Sequence, residues 1–297
     1  MMINKTTTNM SLSVNRIIIL LMAITTLLLA GCGKTKEAQT HLATAKHLYE
    51  NQNFEGAKMM IDSIRINYPR EVGVLKESLA LMRLVERGES ERNIAYCDSL
   101  MPIRMEEAEK LKKGFVLEKN PEYEDIGNYI WQRQTIEQNV ERNYVRCGVD
   151  EKGEIYLASV YFGSRAINHT GLKLSTPDGA YAETIPIPYD GGMNYRFKDL
   201  GNTTEVVTYK SEKCIDAINF VCSVGEKIRI KAEYTGGTAF SLYLSENDKQ
   251  AIKATLDLAA VLSDIEIMRR EIEKSTLKIM YLDARLNGEN PNTRESQ

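Results

Sequence analysis

The sequence has few of the residues that most often carry metal or enzyme chemistry. It contains three histidines among 297 residues and has no His-Glu-x-x-His motif. His41 and His47 lie six residues apart on a predicted helix, so they do not share a face as residues four apart would. The third, His169, lies in a different region, and no closely spaced cysteine pair accompanies any of them. These absences argue against a metal site and against a histidine-dependent catalytic centre.

Phosphate-binding loops and acid dyads are missing as well. The Gly-Gly pairs at 191–192 and 236–237 have neither the strand-to-helix context nor the lysine of a phosphate loop, and turns explain them better. Adjacent acids such as Glu106 and Glu107 lie on a predicted helix, where charged side chains ordinarily face solvent. We therefore name no catalytic residue, no metal ligand and no cofactor, and we expect a protein that is not an enzyme.

Neither sign of charge dominates, and no long basic run occurs. Lys and Arg total 38 against 41 Asp and Glu, which gives a formal net charge of −3. One Trp and six Phe offer few platforms for stacking on bases. A mildly acidic chain of this kind lacks the basic surface that binds nucleic acid. The 43% of hydrophobic and 27% of charged residues are instead typical of a folded globular protein.

One long hydrophobic run is present, near the start of the chain. Lys5 and Arg16 are the only charged residues before it, and residues 17–30 are almost all apolar. Fourteen residues form a helix of about 21 Å, which is shorter than a hydrocarbon core of about 30 Å. A basic segment before a short apolar run is typical of a secretory signal peptide rather than of a stable membrane span. We assign residues 1–31 to this signal.

The apolar run ends in Leu29-Ala30-Gly31-Cys32. An aliphatic residue, two small residues and a cysteine in this order resemble the lipobox of bacterial lipoproteins. The resemblance implies cleavage before Cys32, diacylglycerol on its sulfur and an acyl chain on the new amino group. The alternative is an ordinary signal peptide followed by an unrelated cysteine. Two or three acyl chains anchor a protein durably, because each buried methylene contributes about 0.8 kcal/mol.

The residues around Cys32 bear on location. Inner-membrane lipoproteins of diderm bacteria often have Asp after the lipidated cysteine, whereas this chain has Gly33. The resemblance therefore favours the outer membrane, with the protein facing the periplasm.

Cleavage removes Lys5 and Arg16 and changes the formal net charge from −3 to −5.

Residues 32–142 have helical periodicity, with apolar residues three and four apart. Phe54, Ala57 and Pro69 occur at the offsets of a tetratricopeptide repeat, so the segment resembles one helical hairpin of that family. A generic helix pair explains the same spacing. We predict further helices over roughly 71–87, 90–118 and 122–142, with a break near Pro102.

The pattern changes at about residue 143 to the period of two that marks strands. Turn signals such as Thr176-Pro177-Asp178-Gly179 separate short alternating runs through residue 245. The clearest predicted strand is 227–234, and Gly236-Gly237 predicts a hairpin into 240–244. We predict an antiparallel β-sandwich over residues 143–245, with a partly open barrel as the alternative.

A long helix is predicted over residues 246–288, before a disordered tail at 289–297. Ser245 to Asp248 resemble a capping box at its start. Apolar residues recur every seven positions, as in a coiled-coil seam: Leu258, Ile265, Ile272, Ile279 and Leu286. The seam packs either on the chain's own helices at 90–142, which we prefer, or on a second copy. The predicted fold class is thus α+β, a helical stalk with a β-sandwich inserted before the returning helix.

Two further groups of residues leave alternatives open. Four cysteines remain after lipidation, and an exported protein either oxidises them or keeps them as buried thiols: Cys97, Cys147, Cys214 and Cys222. Seven aromatic residues of the β region either stack on sugars or pack in the core: Tyr156, Tyr161, Phe162, Tyr181, Tyr189, Tyr195 and Phe197.

The sequence thus predicts a lipid-anchored, non-catalytic scaffold that binds another envelope protein. The alternative is a lipoprotein whose β-sandwich binds a glycan or small ligand. An exposed row of aromatic side chains on one sheet face would favour this alternative, and a fully buried set would count against it. An enzyme with an unfamiliar site is the third alternative.

Overall fold

The computed structural model describes residues 33–287. The predicted signal peptide, its lipidation site Cys32 and the predicted tail at 289–297 lie outside these residues. The described chain forms two compact units. The helical unit comprises the described residues up to Tyr96 together with those from Glu271, and the β unit is Cys97–Arg270.

The helical unit begins with a helix pair. Helix α1 covers residues 33–50 and α2 covers Phe54–Asn67. Asn53 caps α2 by accepting a hydrogen bond from the Gly56 backbone N–H, 3.0 Å away. Phe54 and Ala57, which carry the repeat-like pattern, are both buried in the core between α1, α2 and the start of the third helix.

The third helix, α3, is continuous over Val72–Lys112. The predicted break near Pro102 and the separate helices at 71–87 and 90–118 were therefore wrong. Pro102 is exposed, so its ring and its missing N–H disturb one turn on the solvent side without ending the helix. Gly88 also lies inside α3, where a Cβ atom would come 2.9 Å from the Phe54 ring.

The β unit contains two antiparallel sheets. The six-stranded sheet has the order β1-β2-β3-β4-β8-β7. Its strands are β1 Phe115–Glu118, β2 Asn128–Trp131, β3 Tyr144–Asp150, β4 Ile155–Gly163, β7 Asn194–Asp199 and β8 Asn202–Lys210. The four-stranded sheet has the order β10-β9-β5-β6. Its strands are β5 Gly171–Ser175, β6 Tyr181–Glu183, β9 Lys231–Thr235 and β10 Phe240–Tyr243.

The two sheets pack face to face, as the sandwich prediction requires. Tyr234 on β9 donates its hydroxyl proton to the backbone oxygens of Tyr144 and Val160, at 3.0 and 3.1 Å. The Tyr161 ring on β4 packs edge-on against Phe240 on β10, with ring centroids 4.9 Å apart. These contacts join the inner faces of the two sheets.

Three predicted elements of the β unit differ in the structure. The helix predicted over 122–142 was wrong, because β2 pairs there with both β1 and β3. The strand predicted over 227–234 begins only at Lys231, since Gly225 accepts a turn hydrogen bond from the Ile228 N–H. Helix α4, Ile215–Ser223, was not predicted, although Ala217, Ile218 and Val221 bury one face of it. For β2 and α4, pairing or packing with distant residues overrode the local pattern, whereas a local turn delayed the start of β9.

Helix α5 covers Glu246–Leu286 and returns along α3. The predicted capping box is present: Ser245 Oγ accepts from the Asp248 N–H, and Asp248 accepts in return from the Ser245 N–H. Within the β unit, Arg104 pairs with Asp264 at 3.0 Å. Within the helical unit, Arg87 pairs with Asp283 at 2.7 Å. In each unit, therefore, α5 packs antiparallel on the chain's own α3.

Candidate functional site

The six-stranded sheet has one face in the core and one face open. Strand β8 shows this most clearly, because its residues alternate between the two faces. Thr203, Glu205 and Val207 are fully buried on the inner face. Thr204 and Val206 are only half-buried, on the outer face. The outer face lines the candidate site.

Strand register places apolar side chains of four strands side by side on this outer face. One row of facing positions contains Tyr144, Val160, Val206 and Tyr195. The next row contains Phe162, Thr204 and Phe197. Because facing residues in antiparallel strands lie about 5 Å apart, the rows form a continuous surface.

This surface is the floor of a groove of about 770 Å³. The segment between β2 and β3 supplies a wall through Ile136, Asn139, Val140, Glu141 and Arg142. Ile136 and Val140 are 57% and 64% exposed, so the apolar lining is open to solvent. A volume of this size lies within the range of 300–1,000 Å³ typical of small-ligand sites.

Two aromatic rings at the edge of the floor form a flat platform. Tyr195 and Phe197 lie two residues apart on β7, and their side chains therefore share a face. Their ring planes differ by 13° and their centroids are 6.5 Å apart. Both rings remain accessible, since Tyr195 is 37% and Phe197 51% exposed.

At the other end of the floor the lining becomes polar. A Cβ atom at Gly148 would lie 2.5 Å from the Tyr156 hydroxyl oxygen, so glycine leaves room for that ring to lie over β3. Burial raises the pKa of Tyr156, and the hydroxyl stays protonated at neutral pH. Arg146 pairs with Glu118 beside it, and Lys210 faces Tyr156 across β4 and β8.

The charges around the groove are balanced. Three basic and three acidic side chains line it: Arg142, Arg146, Lys210, Glu124, Glu141 and Asp199. Such a lining offers hydrogen-bond donors and acceptors in similar number, and it has no excess charge that would select an ion.

A second polar cluster lies in the core of the β unit. Ser159 Oγ lies 2.8 Å from His169 Nε2, and His169 Nδ1 lies 2.9 Å from Glu205 Oε2. Nucleophile, base and acid thus occur in the order of a hydrolase triad. The three residues are only 0%, 1% and 2% exposed, however. The Tyr209 hydroxyl also lies 3.2 Å from Ser159 Oγ, where a substrate would have to approach.

This cluster therefore supports the fold rather than catalysis. Glu205 accepts hydrogen bonds from the backbone N–H groups of Ile167, Asn168 and His169, which fixes the segment before β5. Burial alone would raise the pKa of Glu205, but these hydrogen bonds and the His169 ring outweigh it and lower the pKa. Burial lowers the pKa of His169 despite the nearby carboxylate, so the imidazole is neutral at pH 7.

The cysteines and the remaining histidines are dispersed. His41 lies beside Tyr68, with ring centroids 5.4 Å apart, whereas His47 on α1 contacts Asn51 in the turn that follows the helix. None of the four cysteines in residues 33–287 is in a disulfide, and burial raises the pKa of Cys214 to about 12. The described residues contain no group of three or more His, Cys, Asp or Glu side chains that would hold a metal ion.

The acid pair and the glycine pairs have the structural roles expected of them. Glu106 pairs with Lys110, and Glu107 pairs with Arg104, both at 2.7 Å. Gly191 and Gly236 have φ angles of 76° and 89°, which are the left-handed turn conformation.

The structure divides the seven aromatic candidates. It brings Tyr156, Phe162, Tyr195 and Phe197 together in the groove. Tyr161 is buried between the sheets, while Tyr181 and Tyr189 are exposed away from the groove beside Lys173 and Arg196. Sequence reasoning missed Tyr144, Val160 and Val206, because only the register of the strands shows that they share the groove.

Comparison with known protein families, with curated proteins and with solved structures finds no match for this chain. Within residues 33–287, no helix combines the length and apolar character needed to cross a bilayer.

Proposed function

We propose that this chain is a lipid-anchored envelope protein that binds a glycan in the groove of its β unit. The observation that carries the proposal is the exposed aromatic platform of Tyr195 and Phe197 beside hydrogen-bonding side chains. A sugar ring has an apolar C–H face and an edge of hydroxyl groups. Aromatic rings fit the first, and paired donors and acceptors fit the second.

The shape and charge of the groove support an extended neutral ligand. The floor runs along β8 from Thr204 to Lys210, and these seven residues span about 20 Å. Across the sheet, the four neighbouring strands β3, β4, β8 and β7 span about 14 Å. This floor accommodates a short oligosaccharide, and the balanced charge favours a ligand recognised by hydrogen bonds.

Binding to a glycan array, followed by titration calorimetry with the best oligosaccharide, tests the groove. We expect Tyr195→Ala and Phe197→Ala each to weaken binding about tenfold, because a lost aromatic contact costs about 0.5–1.5 kcal/mol beyond its buried area. Tyr181→Ala and Tyr189→Ala are matched controls, since these rings are 60% and 57% exposed outside the groove. The proposal fails if no glycan binds, or if the controls weaken binding equally.

The anchor is tested separately by mass spectrometry of the mature protein extracted from membranes. We expect cleavage before Cys32 and an N-terminal peptide carrying two or three acyl chains. The Cys32→Ala form should keep its signal peptide or appear without lipid, and it should leave the membrane fraction. An unmodified thiol at Cys32 in the membrane-bound wild-type protein would contradict the anchor.

The scaffold hypothesis remains a second candidate because of the apolar surface of the helical unit. Met59 is 72% exposed on α2, and Leu277 and Met280 on α5 are 60% and 57% exposed. Crosslinking in intact cells and affinity capture of the native and Cys32→Ala forms tests it. One dominant envelope protein, reduced without the anchor, is the expected result, and background proteins alone would reject the scaffold.

A further inference from the structure

The predicted lipidation site is next in sequence to the described part of the helical unit. Cys32 is followed directly by Gly33, the first described residue, which already belongs to α1. A lipid on Cys32 would therefore hold the first turn of α1 within a few ångströms of the headgroups, since each helical residue advances the chain by about 1.5 Å.

The turn between α2 and α3 lies beside this first turn. Thr35 donates its hydroxyl proton to Glu71 at 2.9 Å, and the Tyr68 hydroxyl lies 3.4 Å from Glu37. Two segments far apart in sequence thus share the end of the helical unit nearest to the predicted lipid.

The side chains at this end combine apolar and basic character. Ile66 is 70% and Val72 74% exposed, although both are β-branched aliphatic residues. Lys34, Lys36 and Arg70 are exposed, and none of them forms an ion pair with an acidic side chain of residues 33–287. We call this set of five residues the anchor-proximal tip: Lys34, Lys36, Ile66, Arg70 and Val72.

We propose that the anchor-proximal tip is a membrane-contact surface that fixes the helical unit on the bilayer. Ile66 and Val72 enter the boundary between headgroups and acyl chains, and the three basic side chains bind lipid phosphates. Apolar side chains next to unpaired Lys and Arg are the composition that binds bilayer surfaces. The inference rests on the lipidation at Cys32 in the proposed function, and it is independent of the glycan.

The test uses mature lipidated protein in vesicles of phosphatidylethanolamine and phosphatidylglycerol. An environment-sensitive fluorophore is attached at Ile66→Cys or Val72→Cys in a Cys222→Ser background, which removes the half-buried native thiol. Met59→Cys is the matched control, because Met59 is 72% exposed and lies seven residues earlier on the same helix. Each label is measured in vesicles with and without bromine on the lipid acyl chains.

We expect brominated lipid to reduce the emission of the labels at 66 and 72 at least twofold and to leave the label at 59 unchanged. Replacing Lys34, Lys36 and Arg70 by Gln should weaken this quenching. Equal, unquenched emission at all three positions would overturn the inference. Protection of 66 and 72 from aqueous iodide without quenching by brominated lipid would also overturn it and indicate that a protein covers the tip. Flotation of the protein with the vesicles reports separately on the anchor.

Discussion

At the residue scale, three buried polar side chains of the β unit form one connected network. Ser159, His169 and Glu205 share hydrogen bonds, and Glu205 also holds three backbone N–H groups. A buried carboxylate without such donors would be strongly disfavoured. The network therefore contributes more to the free energy of unfolding than a surface ion pair would.

Replacing His169 should change how stability depends on pH. Burial puts the pKa of folded His169 below its ordinary value of 6.5, so the unfolded chain binds the proton more readily. The contribution of neutral His169 is thus complete above pH 6.5 and is lost as pH falls towards the folded pKa. Glu205 acts in the same direction at lower pH, because its folded pKa lies below 4.5.

We expect His169→Gln to lower the free energy of unfolding by about 1–3 kcal/mol at pH 7.5. The free energy of unfolding of the wild-type protein should fall between pH 7.5 and pH 5.5, and that of the variant should fall less. Urea unfolding at pH 7.5, 6.5 and 5.5 measures both effects. His47→Gln, a change at an exposed position on α1, is the control. An unchanged pH dependence in His169→Gln would show that His169 does not titrate on unfolding.

At the scale of elements, α3 continues through a proline that would end many helices. Pro102 lies far inside Val72–Lys112 and faces solvent. Its cost is the lost hydrogen bond to the preceding turn and the clash of its ring with that carbonyl. Packing of α3 along α5, with Arg104 paired to Asp264 two residues beyond the proline, holds the helix together.

Pro102→Ala should therefore stabilise the protein, by about 1–3 kcal/mol in the free energy of unfolding. Because Pro102 is exposed, the substitution removes little packing. Urea unfolding measures the gain, and Ile103→Ala, at a neighbouring residue that is 61% exposed, should have a much smaller effect. A loss of stability in Pro102→Ala would mean that the proline favours the native conformation of the helix.

At the scale of the whole molecule, this chain covers the first part of the coiled-coil seam of α5 fully and the rest in part. In the β unit, Leu258 and Ile265 are at most 5% exposed. In the helical unit, Leu282 is 3% exposed and Asp283 pairs with Arg87. Ile272 and Ile279 are half-buried and Leu286 is 38% exposed, so only the last part of the seam is accessible to a second copy, and it offers little apolar area.

We accordingly predict that the mature protein without its lipid is a monomer at micromolar concentration. Sedimentation velocity from 1 to 50 μM should give one species with the mass of a single chain. A dimer that dissociates on replacing Leu277 and Met280, which are exposed on α5, would contradict this prediction and favour pairing through that helix.

Local sequence determined several features by itself. The capping box at Ser245, the heptad spacing of α5 and the hairpin before Phe240 follow from short-range rules, and the structure has all three. The α+β class follows from the change of period near residue 143, because helices and strands bury their apolar residues at different spacings. The lipobox at Leu29 to Cys32 is likewise complete within four residues, and it stays a prediction.

The tertiary structure decided the rest. Residues 128–131 are a strand because β1 and β3 lie on both sides of them, a condition that no local window contains. The groove exists because strand register aligns Tyr144, Val160, Val206 and Tyr195 from four strands. Whether an aromatic side chain lies in the core or in the groove depends on the sheet face that it occupies. A shift of one residue in strand register would exchange the two faces.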